Sequence, residues 1–182
     1  MTTLLGLDPS LSSSGVALFY NGVLLAAARI TCRTAITDHN IGVRCLAMAD
    51  RIRDWCPGAD RIVWEWPQIY GVGKSKSDPN KLLGLVAIGT AVAARFQAAR
   101  YAQGREMSIT TPTPREWTGG LPKSTKPGEA LTSQRGRRVL SKLSEEERLL
   151  VPDQHDVVDA VGLGLWALDR FEPVRVFPGA TR

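Results

Sequence analysis

Residues 4–19, which read LLGLDPSLSSSGVALF, decide the fold, because an apolar run ends at Asp8 and a polar turn leads into a second apolar run. The first run predicts a buried strand, since such strands contain few polar residues. Pro9 prevents Asp8 from continuing into a helix, and Gly6 lets another backbone or a ligand come close. We therefore expect Asp8 at the C-terminal end of this strand, where a firmly held carboxylate suits a metal ion. The alternative is an aspartate that only opens a turn.

The residues that follow predict a sheet that begins with three antiparallel strands. Strands are expected over residues 15–20 and 23–30, joined by Asn21-Gly22, a pair typical of a tight hairpin turn. The later pattern predicts a helix over 41–55, a strand over 61–66, an apolar helix over 81–102 and a strand over 107–111. Two helices are expected after the last strand.

Composition and charge restrict the class of protein. The 182 residues suffice for one domain with a full core, and 23 basic against 18 acidic residues give a net charge of +5. That charge permits a polyanionic partner without requiring one. The three cysteines follow no metal-ligand spacing, which predicts buried free thiols in a reducing compartment. We find no signal-peptide pattern and expect no membrane span, so the prediction is a soluble cytoplasmic protein.

Three further acidic residues stand at places comparable to that of the first. Glu65 lies near the end of the fourth strand, and Asp156 and Asp159 are three apart at the start of the last helix, on one face. Asp153 and Asp156 could instead cap this helix. That alternative explains Asp159 poorly, because this residue lies among apolar neighbours. If the first and fourth strands are adjacent, Asp8 and Glu65 lie side by side, and a last helix across the sheet brings Asp156 and Asp159 to the same place.

Four carboxylates that lie so close together repel one another unless cations neutralise them. Their oxygen atoms suit Mg²⁺ or Mn²⁺ rather than zinc. Two such ions about 3.5–4 Å apart can stabilise the attacking and leaving oxygens of a phosphodiester. The sequence therefore predicts a two-ion site for phosphodiester hydrolysis.

Two basic segments are candidates for contact with nucleic acid. Residues 113–142 hold seven basic against two acidic side chains, a concentration that favours phosphate contacts over ordinary solvated surface. The candidates there are Arg115, Lys123, Lys126, Arg135, Arg137 and Arg138. The second segment is the glycine-containing loop over 67–80, with Tyr70, Lys74 and Lys76.

The sequence resembles the RuvC-type Holliday-junction resolvases of the ribonuclease H-like superfamily, especially their bacteriophage-like relatives. The resemblance runs from about residue 4 to 168 and is carried by Gly6-Leu7-Asp8-Pro9-Ser10 with Gly15, by Trp64-Glu65, and by Asp156-Val157-Val158-Asp159-Ala160. It implies a ribonuclease H-like α/β fold, a mixed five-stranded sheet flanked by helices. Residues 1–170 would form the nuclease domain and residues 171–182 a C-terminal tail.

The resemblance also implies a crossover junction endodeoxyribonuclease that acts as a homodimer on four-way or other branched DNA. The family's catalytic, metal-binding acids fall on Asp8, Glu65, Asp156 and Asp159. The chain departs from the family at Thr118, where a lysine is usual, and Lys123 or Lys126 could supply that charge. Tyr70 is nearest to the family's base-stacking aromatic, although a lone tyrosine also serves to anchor a loop.

Other functions are compatible with parts of this pattern. The same chemistry could act on RNA–DNA hybrids or precursor RNA, and the same fold could bind DNA without cutting it. An actin-like or sugar-kinase ATPase would need a second, similar domain, for which 182 residues leave no room. His155 beside Asp156 could be a ligand or base, but a hydrogen-bonding role at the helix start is the better interpretation.

Overall fold

A mixed five-stranded sheet in the order β3-β2-β1-β4-β5 forms the centre of the fold. The computed structural model describes residues 1–33, 40–67, 79–119, 121, 126 and 128–171. The strands are β1 (Thr3–Asp8), β2 (Ser13–Tyr20), β3 (Val23–Thr31), β4 (Arg61–Trp64) and β5 (Ser108–Thr110). The first three strands are antiparallel, and β4 and β5 run parallel to β1. The first and fourth strands are thus neighbours, which is the condition under which Asp8 and Glu65 are expected to meet.

The described residues form six helices. They are α1 (Ile41–Trp55), α2 (Pro79–Tyr101), α3 (Pro114–Thr118), α4 (Gln134–Leu140), α5 (Glu145–Leu149) and α6 (His155–Ala167). Four of them follow β5, where the sequence predicted two. The additional helices have five to seven residues and are fixed by local capping, as where the hydroxyls of Ser133 and Ser144 accept backbone N–H bonds. Helices so short carry too little periodicity to be recognised from the apolar pattern.

The two faces of the sheet are covered by different helices. The buried apolar residues of α6 pack on one face with Leu4, Ala17 and Phe19, while α1 and α2 cover the other face with Leu5 and Leu7. This alternation along β1 gives the strand a buried side chain on both faces. The three cysteines are buried and free, as predicted, and burial raises the pKa of the Cys45 and Cys56 thiols.

Helix α2 is long and apolar. Its segment Leu82–Tyr101 has a mean hydropathy of 1.6 and could cross a membrane by length and composition, so the expectation that no stretch reaches that length was wrong. Core helices of soluble proteins pass the same test. A Cβ atom added at Gly84 would lie 2.8 Å from Leu11, and one at Gly89 would lie 2.5 Å from the Trp64 ring. Both glycines thus allow α2 to pack closely against Leu11 and Trp64 of the same chain.

The β2–β3 hairpin contains a register shift that matters for the site. Asn21 and Gly22 both have positive φ, of 47° and 85°, as the predicted tight turn requires. Phe19 pairs with Leu24, but the next pair along is Leu18 with Ala26, so β3 has one extra residue, a β-bulge. Beyond the bulge every β3 side chain lies on the opposite face from the one that an unbroken hairpin would give it.

Glu147 of α5 ties this hairpin to the C-terminal end of the domain. Its carboxylate is 5% exposed and accepts hydrogen bonds from the Leu24 N–H at 2.7 Å and from Arg170 at 3.0 Å. Burial alone would raise the pKa of Glu147, but the bonds from Arg170, Leu24 and Ser144 lower it to about 2.

Candidate active site

Asp8 and Glu65 lie side by side at the C-terminal ends of two neighbouring parallel strands. Leu7 of β1 pairs with Trp64 of β4, and the next residue on each chain is one of the two acids. Val63 packs in the α6 cluster, so Glu65, two residues on, faces α6 as well. The sequence therefore predicted the placement of these two carboxylates correctly.

Close packing of α6 on the sheet brings Asp156 to the same edge. Gly15 pairs with Asp8 across β1 and β2, and a Cβ atom added at Gly15 would lie 1.9 Å from the backbone oxygen of Asp156. A Cβ atom at Gly6 would lie 2.3 Å from the oxygen of Ala160. Only glycine leaves room for the helix backbone at these two positions. The first turn of α6 therefore rests beside Asp8.

An open cavity of about 650 Å³ lies at this edge, lined by Asp8, Glu65 and Asp156 among others. Arg29 and His155 also contribute to its lining. Within the described ranges, no three acidic, histidine or cysteine side chains are close enough to hold a metal ion as they stand. The structure thus brings three of the four predicted carboxylates to one shared cavity.

Asp156 is engaged by an arginine from β3. The Arg29 Nε lies 2.8 Å from the Asp156 Oδ2, and the Arg29 Nη2 donates to the Ser13 Oγ at 2.8 Å. Ser13 in turn donates to the same Asp156 oxygen at 3.3 Å, and the other oxygen accepts the Val157 N–H at 3.2 Å. The Arg29 side chain is 45% exposed and that of Asp156 15% exposed, so this ion pair lies at the solvent boundary of the cavity.

Glu65 is held from the side by an indole. The Trp117 Nε1 donates to the Glu65 Oε2 at 2.6 Å, and Trp117 is completely buried. Helix α3 fixes this tryptophan, since Thr113 and Glu116 form a capping box at its start. In the sequence, Trp117 is only an aromatic residue within the basic segment 113–142. Its hydrogen bond to the carboxylate had no signal in the sequence.

Asp159 lies in the core between α6 and α4. The Arg135 Nη1 is 3.0 Å from both of its carboxylate oxygens, and the two side chains are 12% and 6% exposed. Arg135 also donates to the Leu121 carbonyl and stacks 5.2 Å from the Trp117 ring centroid. The cavity lining given by the described residues does not include Asp159. Its role as a metal ligand stays a prediction, whereas the prediction that Arg135 contacts DNA does not fit its burial.

The other predicted DNA contacts differ in exposure. Arg115, Lys126 and Arg137 are exposed, as a phosphate contact requires. Arg138 is half-buried, and its guanidinium lies 5.3 Å from the Phe171 ring centroid. Four candidates lie outside the described residues, namely Tyr70, Lys74, Lys76 and Lys123.

The start of α6 is built differently from the capping alternative. The N-cap is Gln154, whose side chain makes no capping bond, and Asp153 instead accepts the Leu131 N–H at 2.9 Å. The His155 Nε2 lies 3.0 Å from the Lys126 carbonyl oxygen, which confirms the prediction of a hydrogen-bonding histidine at the helix start. Capping therefore does not account for the acids of this helix.

Comparison with known proteins gives matches in structure alone. No protein-family model and no curated protein sequence matches the chain. T. thermophilus RuvC in complex with a Holliday junction substrate is 11% identical with a TM-score of 0.50, over 96% of this chain and 100% of that one. The yeast mitochondrial Holliday junction resolvase Ydc2 is 13% identical with a TM-score of 0.52, over 92% of this chain and 79% of that one. At these identities the likeness concerns architecture, and the chain has the ribonuclease H-like fold that its sequence predicts.

Proposed function

We propose that the chain is a divalent-cation-dependent endonuclease that resolves four-way or other branched DNA. The observation that carries this proposal is the convergence of Asp8, Glu65 and Asp156, from three separate elements, on one open cavity. The likeness in fold to two Holliday junction resolvases supports the choice of substrate.

The donor set of the cavity fits a hard cation. Carboxylate oxygens suit Mg²⁺ or Mn²⁺, and Asp8, Glu65 and Asp156 would hold such an ion once their side chains move closer together than they stand here. When bound, a divalent cation would polarise the scissile phosphodiester and make an attacking water more acidic. Trp117 holds the Glu65 carboxylate through the hydrogen bond from its Nε1 to Oε2. Asp156 and Asp159 each form an ion pair with an arginine. Each pair engages carboxylate oxygens that a metal ion would also need.

The exposed basic residues would bind the DNA backbone. Arg115, Lys126 and Arg137 carry charge into solvent, and Lys126 is 75% exposed. Each phosphate contact that is removed should lower affinity for all sequences alike and reduce the salt slope by about one. Tyr70, among the residues that are not described, remains a candidate for stacking on an unpaired base.

The test is a cleavage assay with three substrates. The purified chain with Mg²⁺ is incubated with a labelled four-way junction, a linear duplex of the same sequence and an RNA–DNA hybrid. We expect the junction to be cut first, with 5′-phosphate ends, and Asp8→Asn to abolish cleavage while DNA binding persists. Asp54→Asn on the exposed surface of α1 is the matched control. Faster cleavage of the hybrid, or near-full activity of Asp8→Asn, would overturn the proposal.

A homodimer would match the two-fold symmetry of a four-way junction. We expect its contact along α2, whose outward stripe at helical spacing is apolar or small. The stripe comprises Leu83, Ala87, Thr90, Ala94, Ala98 and Tyr101, of which Leu83 and Tyr101 are 66% and 65% exposed. Gly84 and Gly89 do not belong to this stripe, because both glycines face their own chain.

Light scattering tests the dimer directly. The natural chain should give about twice its mass of 19.8 kDa at micromolar concentration. Leu83→Glu should give a monomer, since a charge buried in an apolar contact is costly. Leu149→Glu is the matched control, because Leu149 is 88% exposed on a different helix. A natural chain that is monomeric and still resolves junctions would refute this part of the proposal.

A further inference from the structure

Arg29 is the basic side chain of β3 that reaches the carboxylates of the proposed nuclease site. Asp8, Gly15 and Arg29 pair in one row across β1, β2 and β3, and side chains in such a row lie on the same face of the sheet. Because Gly15 has no side chain, the first turn of α6 occupies the gap between Asp8 and Arg29. Asp156 therefore stands within reach of both.

We propose that the Arg29 guanidinium takes the place of a second divalent cation at Asp156. The inference rests on the proposed function, because the first cation is the one that the shared cavity would hold. The sequence predicts two ions held by four carboxylates, of which Asp156 and Asp159 belong to α6. In the structure, the Asp156 Oδ2 is already bonded to the Arg29 Nε at 2.8 Å and to Ser13 at 3.3 Å.

Two contacts hold the Arg29 guanidinium in place. Its Nε contacts Asp156 while its Nη2 is anchored on the Ser13 hydroxyl, so the planar guanidinium is fixed at two points. Ser13 is 8% exposed and bridges the two charged groups. A second divalent ion on this carboxylate would have to displace the guanidinium or bind beside a like charge, and either lowers its affinity. A guanidinium attached to the chain also stays in place at cation concentrations too low to fill a second metal site.

The number of Mn²⁺ ions that each chain binds tests this inference without any cleavage reaction. Mn²⁺ is titrated into the DNA-free chain at neutral pH, and free Mn²⁺ is counted by electron paramagnetic resonance. We expect Arg29→Gln to bind one Mn²⁺ more per chain than the natural protein, and Arg29→Lys to bind the same number as the natural protein because the charge is kept. The variant Arg29→Gln/Asp156→Asn should bind the same number of ions as Asp156→Asn alone, which locates the additional ion at Asp156.

Arg51→Gln is the matched control, because Arg51 is an exposed arginine that bonds to the Thr31 carbonyl from α1, on the other face of the sheet. It should leave the count unchanged. An equal or smaller number of ions in Arg29→Gln than in the natural chain, with both proteins folded by circular dichroism, overturns the inference. A gain of one ion in a protein that cuts no branched DNA would instead refute the proposed function and leave this inference standing.

Discussion

The ion pair between Arg135 and Asp159 offers the sharpest test of how this domain is held together. The two side chains are 12% and 6% exposed, so Arg135→Met removes a positive partner from a buried carboxylate. Removing one partner of a buried pair typically costs about 3–5 kcal/mol. The variant also loses the bond to the Leu121 carbonyl and the stack on Trp117. We expect a loss of about 4 kcal/mol, which corresponds to about 8–16 °C in Tm for a chain of this size.

Urea unfolding of the single and double variants gives the energy of the pair. Arg135→Met/Asp159→Leu should recover most of the loss, because well-packed apolar residues replace buried ion pairs at little cost. Arg137→Met is the matched control, since Arg137 is exposed two residues away on the same helix, and it should change stability by less than about 0.5 kcal/mol. A loss below about 1 kcal/mol in Arg135→Met, or no recovery in the double variant, would refute the reasoning.

Three further predictions concern the hairpin, the helix contact and the indole. Glu147, with its pKa lowered from 4.5 to about 2, stabilises the fold above pH 4.5 by about 3 kcal/mol, and this is lost as the pH falls toward 2; acid unfolding of Glu147→Gln should lack that dependence. Gly15→Ala should displace the first turn of α6 and lower Tm, whereas Gly42→Ala, with open space around it, should leave Tm unchanged or raise it; equal effects would contradict the close contact. Trp117→Phe removes the hydrogen bond to Glu65 and should weaken Mn²⁺ binding about tenfold, and unchanged binding would show that the indole does not orient this carboxylate.

Much of the fold follows from local signals in the sequence. Two apolar runs, the one that ends at Asp8 and the short one before Glu65, each specify a strand and its end. The Asn21-Gly22 turn specifies where β2 ends and β3 begins. Parallel pairing of the first and fourth strands then places the two acids side by side. These elements were predictable because their determinants are neighbours along the chain.

The partners of the α6 acids were not predictable for a physical reason. In an unbroken two-residue hairpin, Ala28 would pair with Gly15, and Arg29 would lie on the face covered by α1 and α2. The bulge in β3, opposite Leu18 and Phe19, moves the register by one residue and turns Arg29 toward Asp156. No residue type in this part of the sequence indicates that bulge. Arg135 was likewise assigned to DNA from its charge, because sequence cannot tell which face of a short helix is buried.

The bond from Trp117 to Glu65 makes α3 part of the candidate site, and the pair between Arg135 and Asp159 ties α4 to the core. Alleles of Arg135 and Arg137, two codons apart, should therefore fall into different phenotypic classes. Changes at Arg135 should yield unstable protein with temperature-sensitive loss of function, and changes at Arg137 should yield normal amounts of protein with salt-sensitive DNA binding. In a genetic screen, whether the side chain lies on the buried or the exposed face of α4 should separate such alleles better than its distance from the carboxylates.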